Sequence, residues 1–124
     1  MKLFVYGSLR AGERYHHLLE GATLVAKRAW TRGLLYDTGW GYPGMIPGRG
    51  TVFGEVYRVD GEQLKRIDHL EGFHGPGDAR NRYDRVVRTV RTPAGPIRCF
   101  LYLYADSDRL QAQGRRIPNG NWCE

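Results

Sequence analysis

Five consecutive apolar or aromatic residues, Phe100-Leu101-Tyr102-Leu103-Tyr104, constrain this chain more than any other feature. Successive side chains on a strand point to opposite faces, so a strand that is apolar on both faces needs cover on both. The run reads as a central strand within Ile97–Tyr104. It is joined to a second extended stretch, Arg82–Thr92, by the turn Pro93-Ala94-Gly95-Pro96, and the pair reads as a hairpin. Lys2 to Tyr6 is a short buried strand around Leu3-Phe4-Val5, and Thr51–Val59 alternates as a strand. Ala22–Tyr36 reads as one or two extended segments around Gly33. Tyr15 to Leu19 is expected to form a short helix closed by Gly21. Asp60 is placed as a helix N-cap with Gln63 at the capping-box position, and that helix runs to about Leu70 and stops at Gly72. Asp37–Gly50 holds five glycines and two prolines and is expected to be a loop, as is Phe73–Arg80. The tail after Ala105 is polar until Ile117-Pro118. The sum is an α+β chain: a small, mixed, barrel-like sheet of about five or six strands with two or more short helices, in a single domain over 1–124.

Composition narrows the function classes. With 124 residues, 41% apolar and 26% charged, the chain can bury a true core and is neither collagen-like nor mainly disordered. No apolar run approaches the roughly 20 residues that span a bilayer, so no membrane association is expected. Met1 to Tyr6 reaches Gly7-Ser8 too soon for a signal peptide. Cys99 and Cys123 are too few for a disulfide scaffold, so a reduced, cytoplasmic setting is expected. His16-His17 are adjacent and diverge by about 100° on a helix; His69 and His74 flank a Gly. No metal site is expected. The net charge of +6 comes mainly from arginine, scattered singly along the chain, densest from Arg80 to Arg98. That pattern reads as a solvated surface. Nucleic-acid binding would call for clustered charge with interleaved exposed aromatics, and is not expected.

Glu71 breaks the pattern. It lies seven residues after Leu64 and one turn after Ile67, within about 20° of the same helical face. A carboxylate thus ends an apolar stripe that asks for Leu, at a helix C-terminus, the unfavourable end for negative charge. Burial and the helix dipole both raise its pKa, as a general base or acid near neutral pH requires. The plainer alternative is a pair with one of the arginines or a frayed, solvent-facing helix end.

Tyr6-Gly7-Ser8-Leu9 follows the first strand. Gly beside Ser lets the backbone turn sharply and bare its N–H groups, a nest for a carboxylate or a polarised carbonyl oxygen. The plainer alternative is a simple turn. No Gly-x-Gly follows, so it is no dinucleotide fingerprint, and the Ser lacks the flanking glycines of a nucleophile elbow.

An ordered set of short blocks resembles the γ-glutamylcyclotransferase-like family, and more closely its short γ-glutamylamine-type branch. The blocks are Phe4 to Gly12 with its Tyr-Gly-Ser-Leu loop, Gly33 to Asp37, Tyr42-Pro43-Gly44, Gly54 to Tyr57, Ile67 to Phe73, Tyr83-Asp84-Arg85 and Asn119 to Trp122. They span nearly the whole chain. The resemblance implies a compact barrel-like α/β fold and a cofactor-free enzyme acting on a γ-glutamyl-linked small molecule. The substrate's own α-amino group attacks the γ-carbonyl, closes 5-oxoproline and expels a free amine or amino acid. It assigns the catalytic general base/acid to Glu71 and substrate binding to Tyr6, Gly7, Ser8 and Leu9. The competing reading is a non-catalytic module of the same fold that binds γ-glutamyl ligands.

Further candidates are softer. Tyr102 and Tyr104 share a strand face, either as pocket hydroxyls or as core. Glu55 shares a face with Phe53 and Tyr57, and either supports the site or pairs with an arginine. Arg10 either attracts the substrate carboxylate or is an exposed loop residue. Asp84 reads as structural. Trp40, Tyr42 and Trp122 are candidates for the leaving-group side, since loops tend to carry specificity.

Overall fold

The computed structural model describes residues 1–123. Its elements are β1 (Lys2–Val5), a 3₁₀ turn (His16–Leu19), β2 (Thr23–Asp37), β3 (Pro43–Arg58), α1 (Gly61–Glu71), β4 (Tyr83–Thr92), β5 (Gly95–Tyr104), α2 (Ser107–Gln113) and β6 (Arg115–Arg116). The strands run in the order β3-β1-β5-β4-β2-β6, and β2 also pairs with β3. That pairing closes a five-stranded barrel, with β6 attached outside it on β2. The sheet is mixed: β1 and β5 are parallel, and the other pairs are antiparallel.

Strand alternation divides the core in two. Phe4 on β1 and Tyr6 just past it point into the barrel with Leu35, Met45, Val52, Val56, Val90, Cys99 and Leu101. Leu3 and Val5 point the other way, into a cluster with Leu64 and Ile67 of α1, Tyr57, Tyr83 and Tyr102. β5 does what its two-faced run requires. Leu101 is buried inside, and Tyr102 is buried under the helix side. Burying Leu64 and Ile67 contributes about 2 kcal/mol each and fixes the rotation of α1. The helix begins as its sequence asks: Asp60 accepts from the Gln63 amide at 2.8 Å, and the Gln63 side chain accepts from the Asp60 amide at 3.0 Å.

Two expectations are corrected. Asp37–Gly50 is not a loop throughout: only 38–42 form the connection, and β3 already begins at Pro43. Gly39 and Gly41 serve that connection, with φ of 87° and 90°, whereas the glycines of β3 serve close packing. A Cβ on Gly48 would lie 2.4 Å from Leu34 Cγ, and one on Gly33 would lie 2.5 Å from Met45 Cε. Pro47 sits in a bulge, because Leu34 faces Ile46 while Arg32 already faces Thr51; a proline is tolerated where the ladder is broken. The polar tail also holds a helix, α2, whose N-cap Asp106 accepts from the Arg109 amide. Leu110 is its one buried residue, so there was no apolar stripe to read.

Candidate active site

The mouth of the barrel beside α1 holds a pocket of about 110 Å³. Tyr6, Gly7, Ser8 and Leu9 form one wall, Tyr42 and Pro43 a second, and Leu70 and Glu71 a third, with Arg82, Tyr83 and Tyr102 closing the ring. Two segments more than sixty residues apart in sequence thus share one cavity.

α1 ends on Glu71 because Gly72 takes a left-handed conformation (φ 69°), and the Phe73 amide folds back onto the Asp68 carbonyl at 2.9 Å. Burial pushes the Glu71 carboxyl up to about 7. The Arg82 guanidinium pulls the other way, and Asp68, one turn earlier, adds to the rise. Asp68 is held in turn: it pairs with Arg85, and Tyr102 donates its hydroxyl to Oδ1 at 2.6 Å. Burial together with this negative neighbourhood raises the Tyr102 and Tyr83 hydroxyls well above the ordinary tyrosine range.

The opposite wall is a bend of backbone. The Gly7 carbonyl accepts from the Arg10 amide at 3.0 Å, and the Ser8 carbonyl from the Tyr15 amide at 2.8 Å. Among the described residues, the amides of Gly7, Ser8 and Leu9 donate to no other backbone carbonyl. Gly7 is needed where the loop passes β3, since a Cβ there would lie 2.6 Å from the Pro43 ring. The loop is also tied from behind. Arg10 Nε donates to Glu55 Oε2 at 3.0 Å, and Arg10 reaches Asn121 Oδ1 at 2.7 Å. The other Glu55 oxygen accepts from the Ala11 amide at 3.0 Å and the Tyr57 hydroxyl at 2.8 Å.

The softer candidates therefore separate. Tyr42 and Tyr102 line the pocket. Tyr104 does not, but its ring packs edge-on against Tyr83 at 5.3 Å. Arg10 is neither an exposed loop residue nor a pocket residue, because Glu55 occupies it. Trp40 is exposed beside the tip of the β2–β3 hairpin, and Trp122 donates to Glu13 Oε1 at 3.1 Å, away from the pocket. Asp84 accepts from Asn81 at 3.0 Å, a structural bond. Sequence reasoning missed Asp68, Arg82 and Tyr83. The signal for Asp68 was present: it is a second carboxylate three residues before Glu71, one helical turn away. Among the described residues, no three His, Cys, Asp or Glu side chains are placed to hold a metal ion, and no helix is long and apolar enough to cross a membrane.

The fold recurs among solved structures. The solution structure of YtfP from Escherichia coli superposes with a TM-score of 0.70 at 34% identity, covering 100% of this chain and 97% of that one. YkqA from Bacillus subtilis superposes at 0.77 and 27% identity, over 98% of this chain but 39% of its own. The sequence model of the family described as "Gamma-glutamyl cyclotransferase, AIG2-like" matches residues 3–124. This chain belongs to that family. A relative from Niallia circulans, the gamma-L-glutamyl-butirosin B gamma-glutamyl cyclotransferase, is 45% identical over 111 residues, 90% of this chain and 71% of that protein.

Proposed function

We propose that this chain, acting as one domain over 1–124, is a cyclotransferase that releases 5-oxoproline and a free amine or amino acid from a γ-glutamyl-linked small molecule. The observation that supports this reading is the Glu71 carboxyl, raised to about 7 in a pocket also lined by Gly7, Ser8 and Leu9. An α-ammonium group must lose a proton before it can attack. Glu71 takes that proton; the freed nitrogen lone pair forms a bond to the γ-carbonyl carbon. The loop amides receive the oxyanion, each donor typically worth ~3 kcal/mol in the transition state. The intermediate collapses by breaking the bond to the leaving nitrogen, which takes the first proton from Glu71; the ring nitrogen's surplus proton then passes by way of the again ionised Glu71 to the freed amine, leaving neutral 5-oxoproline and an ammonium product. Closing a five-membered ring is mainly a problem of conformation, and the aromatic walls from Tyr6, Tyr42, Tyr83 and Tyr102 hold the glutamyl group bent and keep water out. A reduced, cytoplasmic setting fits this chemistry.

The deciding assay incubates the protein with γ-glutamyl amines, γ-glutamyl dipeptides and gamma-L-glutamyl-butirosin B and measures 5-oxoproline. Turnover of at least one supports the enzyme. Saturable binding across the panel without 5-oxoproline replaces it with the binding module.

The pH profile follows from the same carboxyl. Glu71 must be ionised to accept a proton, so kcat/KM is expected to rise with pH through about 7. A profile flat from pH 5 to 9 would remove Glu71 from the proton path.

Activity is also expected to survive EDTA and iodoacetamide. Cys99 is buried and its thiol is pushed up to about 11, so alkylation should stop at the exposed Cys123. Loss of activity in EDTA, restored by a divalent ion, would reveal a metal requirement.

A further inference from the structure

A second cleft, of about 580 Å³, shares no residue with the pocket of Glu71. It opens because β2 and β4 pair at a single position, Trp30 opposite Arg91, while β3 bulges at 47–50 across from Gly33. Four arginines from three strands line it: Arg32 from β2, Arg49 from β3, and Arg88 and Arg91 from β4. Apart from Arg88 and Arg91, three residues apart on β4, they lie far apart in sequence, so the chain read linearly shows scattered charge where the fold makes a cluster.

Among the described residues, no Asp or Glu lines this cleft. Among the described residues, the ion pairs involve Arg10, Arg80 and Arg85, and none of these four. All four are exposed, and Arg88 gives one N–H to the Val87 carbonyl at 2.9 Å. A further guanidinium, from Arg116, lies beside Gly50 at the rim: a Cβ on Gly50 would be 3.2 Å from its terminal nitrogen. Half-buried Trp30 and Leu103 and buried Met45 give the cleft an apolar side.

Like charges gathered round a concavity with no counter-charge focus a positive potential into it. Guanidinium is the group whose planar fork matches phosphate oxygens bidentately. Four such forks exceed what one carboxylate can use but suit a phosphate group of charge near −2. We propose that this cleft binds a small organic phosphate ester, its phosphate held by guanidinium groups from the set Arg32, Arg49, Arg88 and Arg91 and its body laid against the cleft's apolar side. The arginines line one concavity rather than tracking along a surface, which favours a small ligand over a nucleic-acid strand.

Calorimetric titration at low ionic strength with AMP and with inorganic pyrophosphate tests the site. Both are expected to bind with one-to-one stoichiometry. The Arg49→Ala/Arg88→Ala double variant should bind AMP about tenfold more weakly or worse, as loss of two charge-assisted contacts implies. Arg49→Lys/Arg88→Lys should recover only part of that, since charge returns without the fork. Arg66→Ala/Arg109→Ala, which removes the same charge from α1 and α2, should bind as wild type, and 5-oxoproline release should be unchanged in all three. Absence of saturable binding overturns the proposal, as does equal weakening in both alanine double variants. A 20-nucleotide single strand that binds more tightly than AMP and is weakened by the same variant overturns it in favour of a polynucleotide surface.

Discussion

The Glu71→Gln variant will fold as the wild type and release 5-oxoproline about 10² to 10⁴ times more slowly, the usual cost of removing a positioned proton carrier. Gln keeps the shape and a polar end but cannot accept a proton from an ammonium group or return one to a leaving amine. KM should therefore change little while kcat collapses. Stability supplies a second readout, with a sign that a structural role would not give. Glu71 titrates near 7 in the folded chain, against an ordinary value of 4.5. The folded state thus holds this proton more tightly than the unfolded state, and the stability it confers is fully present only at low pH. It is lost as pH rises from about 4.5 through about 7. By linkage the ionised carboxylate costs about 3 kcal/mol at pH 8. Gln carries no such cost, so the variant should melt above wild type at pH 8 and close to it at pH 4. A carboxylate held for structure, through Arg82, would show the reverse: a variant that is active and less stable at pH 8. Wild-type turnover in the Gln variant would end the mechanism.

The site was legible in the sequence to the extent that local rules place it. Capping at Asp60 and the positions of Leu64 and Ile67 fix the phase of α1, and that phase turns Glu71 toward the core. The apolar run at Leu3-Phe4-Val5 marks a buried strand, and a buried strand delivers its following bend to one end of the sheet. The remainder depends on pairing between distant residues, which local pattern does not carry. Asp37–Gly50 looked like a loop because its glycines and prolines are those of turns, yet all but Gly39 and Gly41 lie in a two-strand ribbon of fifteen and sixteen residues whose register shifts. Arg10 looked exposed because nothing near it in sequence is acidic except Glu13; its partner Glu55 is 45 residues away. Tyr83 and Arg82 joined the site only because β4 lies beside β5 in the closed barrel. The four arginines of the second cleft are of the same kind, each unremarkable in sequence and gathered only by closure.

Closure itself rests on close backbone approach, and Gly54 is where that approach is tightest for the site. Gly54 lies on β3 opposite Ala29 of β2, next to Glu55, which pairs with Val5 of β1. A Cβ on Gly54 would stand 2.1 Å from the Val5 carbonyl oxygen and 2.9 Å from the Phe4 ring. Neither neighbour can yield cheaply. The carbonyl belongs to the β1 backbone, and Phe4 is 1% exposed within the barrel interior, where packing is as dense as in a crystal. Gly54→Ala should therefore cost about 3 kcal/mol, at the upper end of overpacking penalties. For a chain of this length that lowers the melting temperature by about 10 °C. The matched control is Gly61→Ala at the first turn of α1, where the nearest atom to a new Cβ is 4.0 Å away. There alanine removes unfolded-state freedom without a clash and should stabilise by about 0.5 kcal/mol. Displacing the Val5 carbonyl also moves the bend that starts one residue later at Tyr6, so Gly54→Ala should lose turnover well below its melting temperature, and Gly61→Ala should not. Equal melting temperatures for the two variants would mean that β1 and β3 are not in this register, and the bend that lines the Glu71 pocket would have to be placed elsewhere.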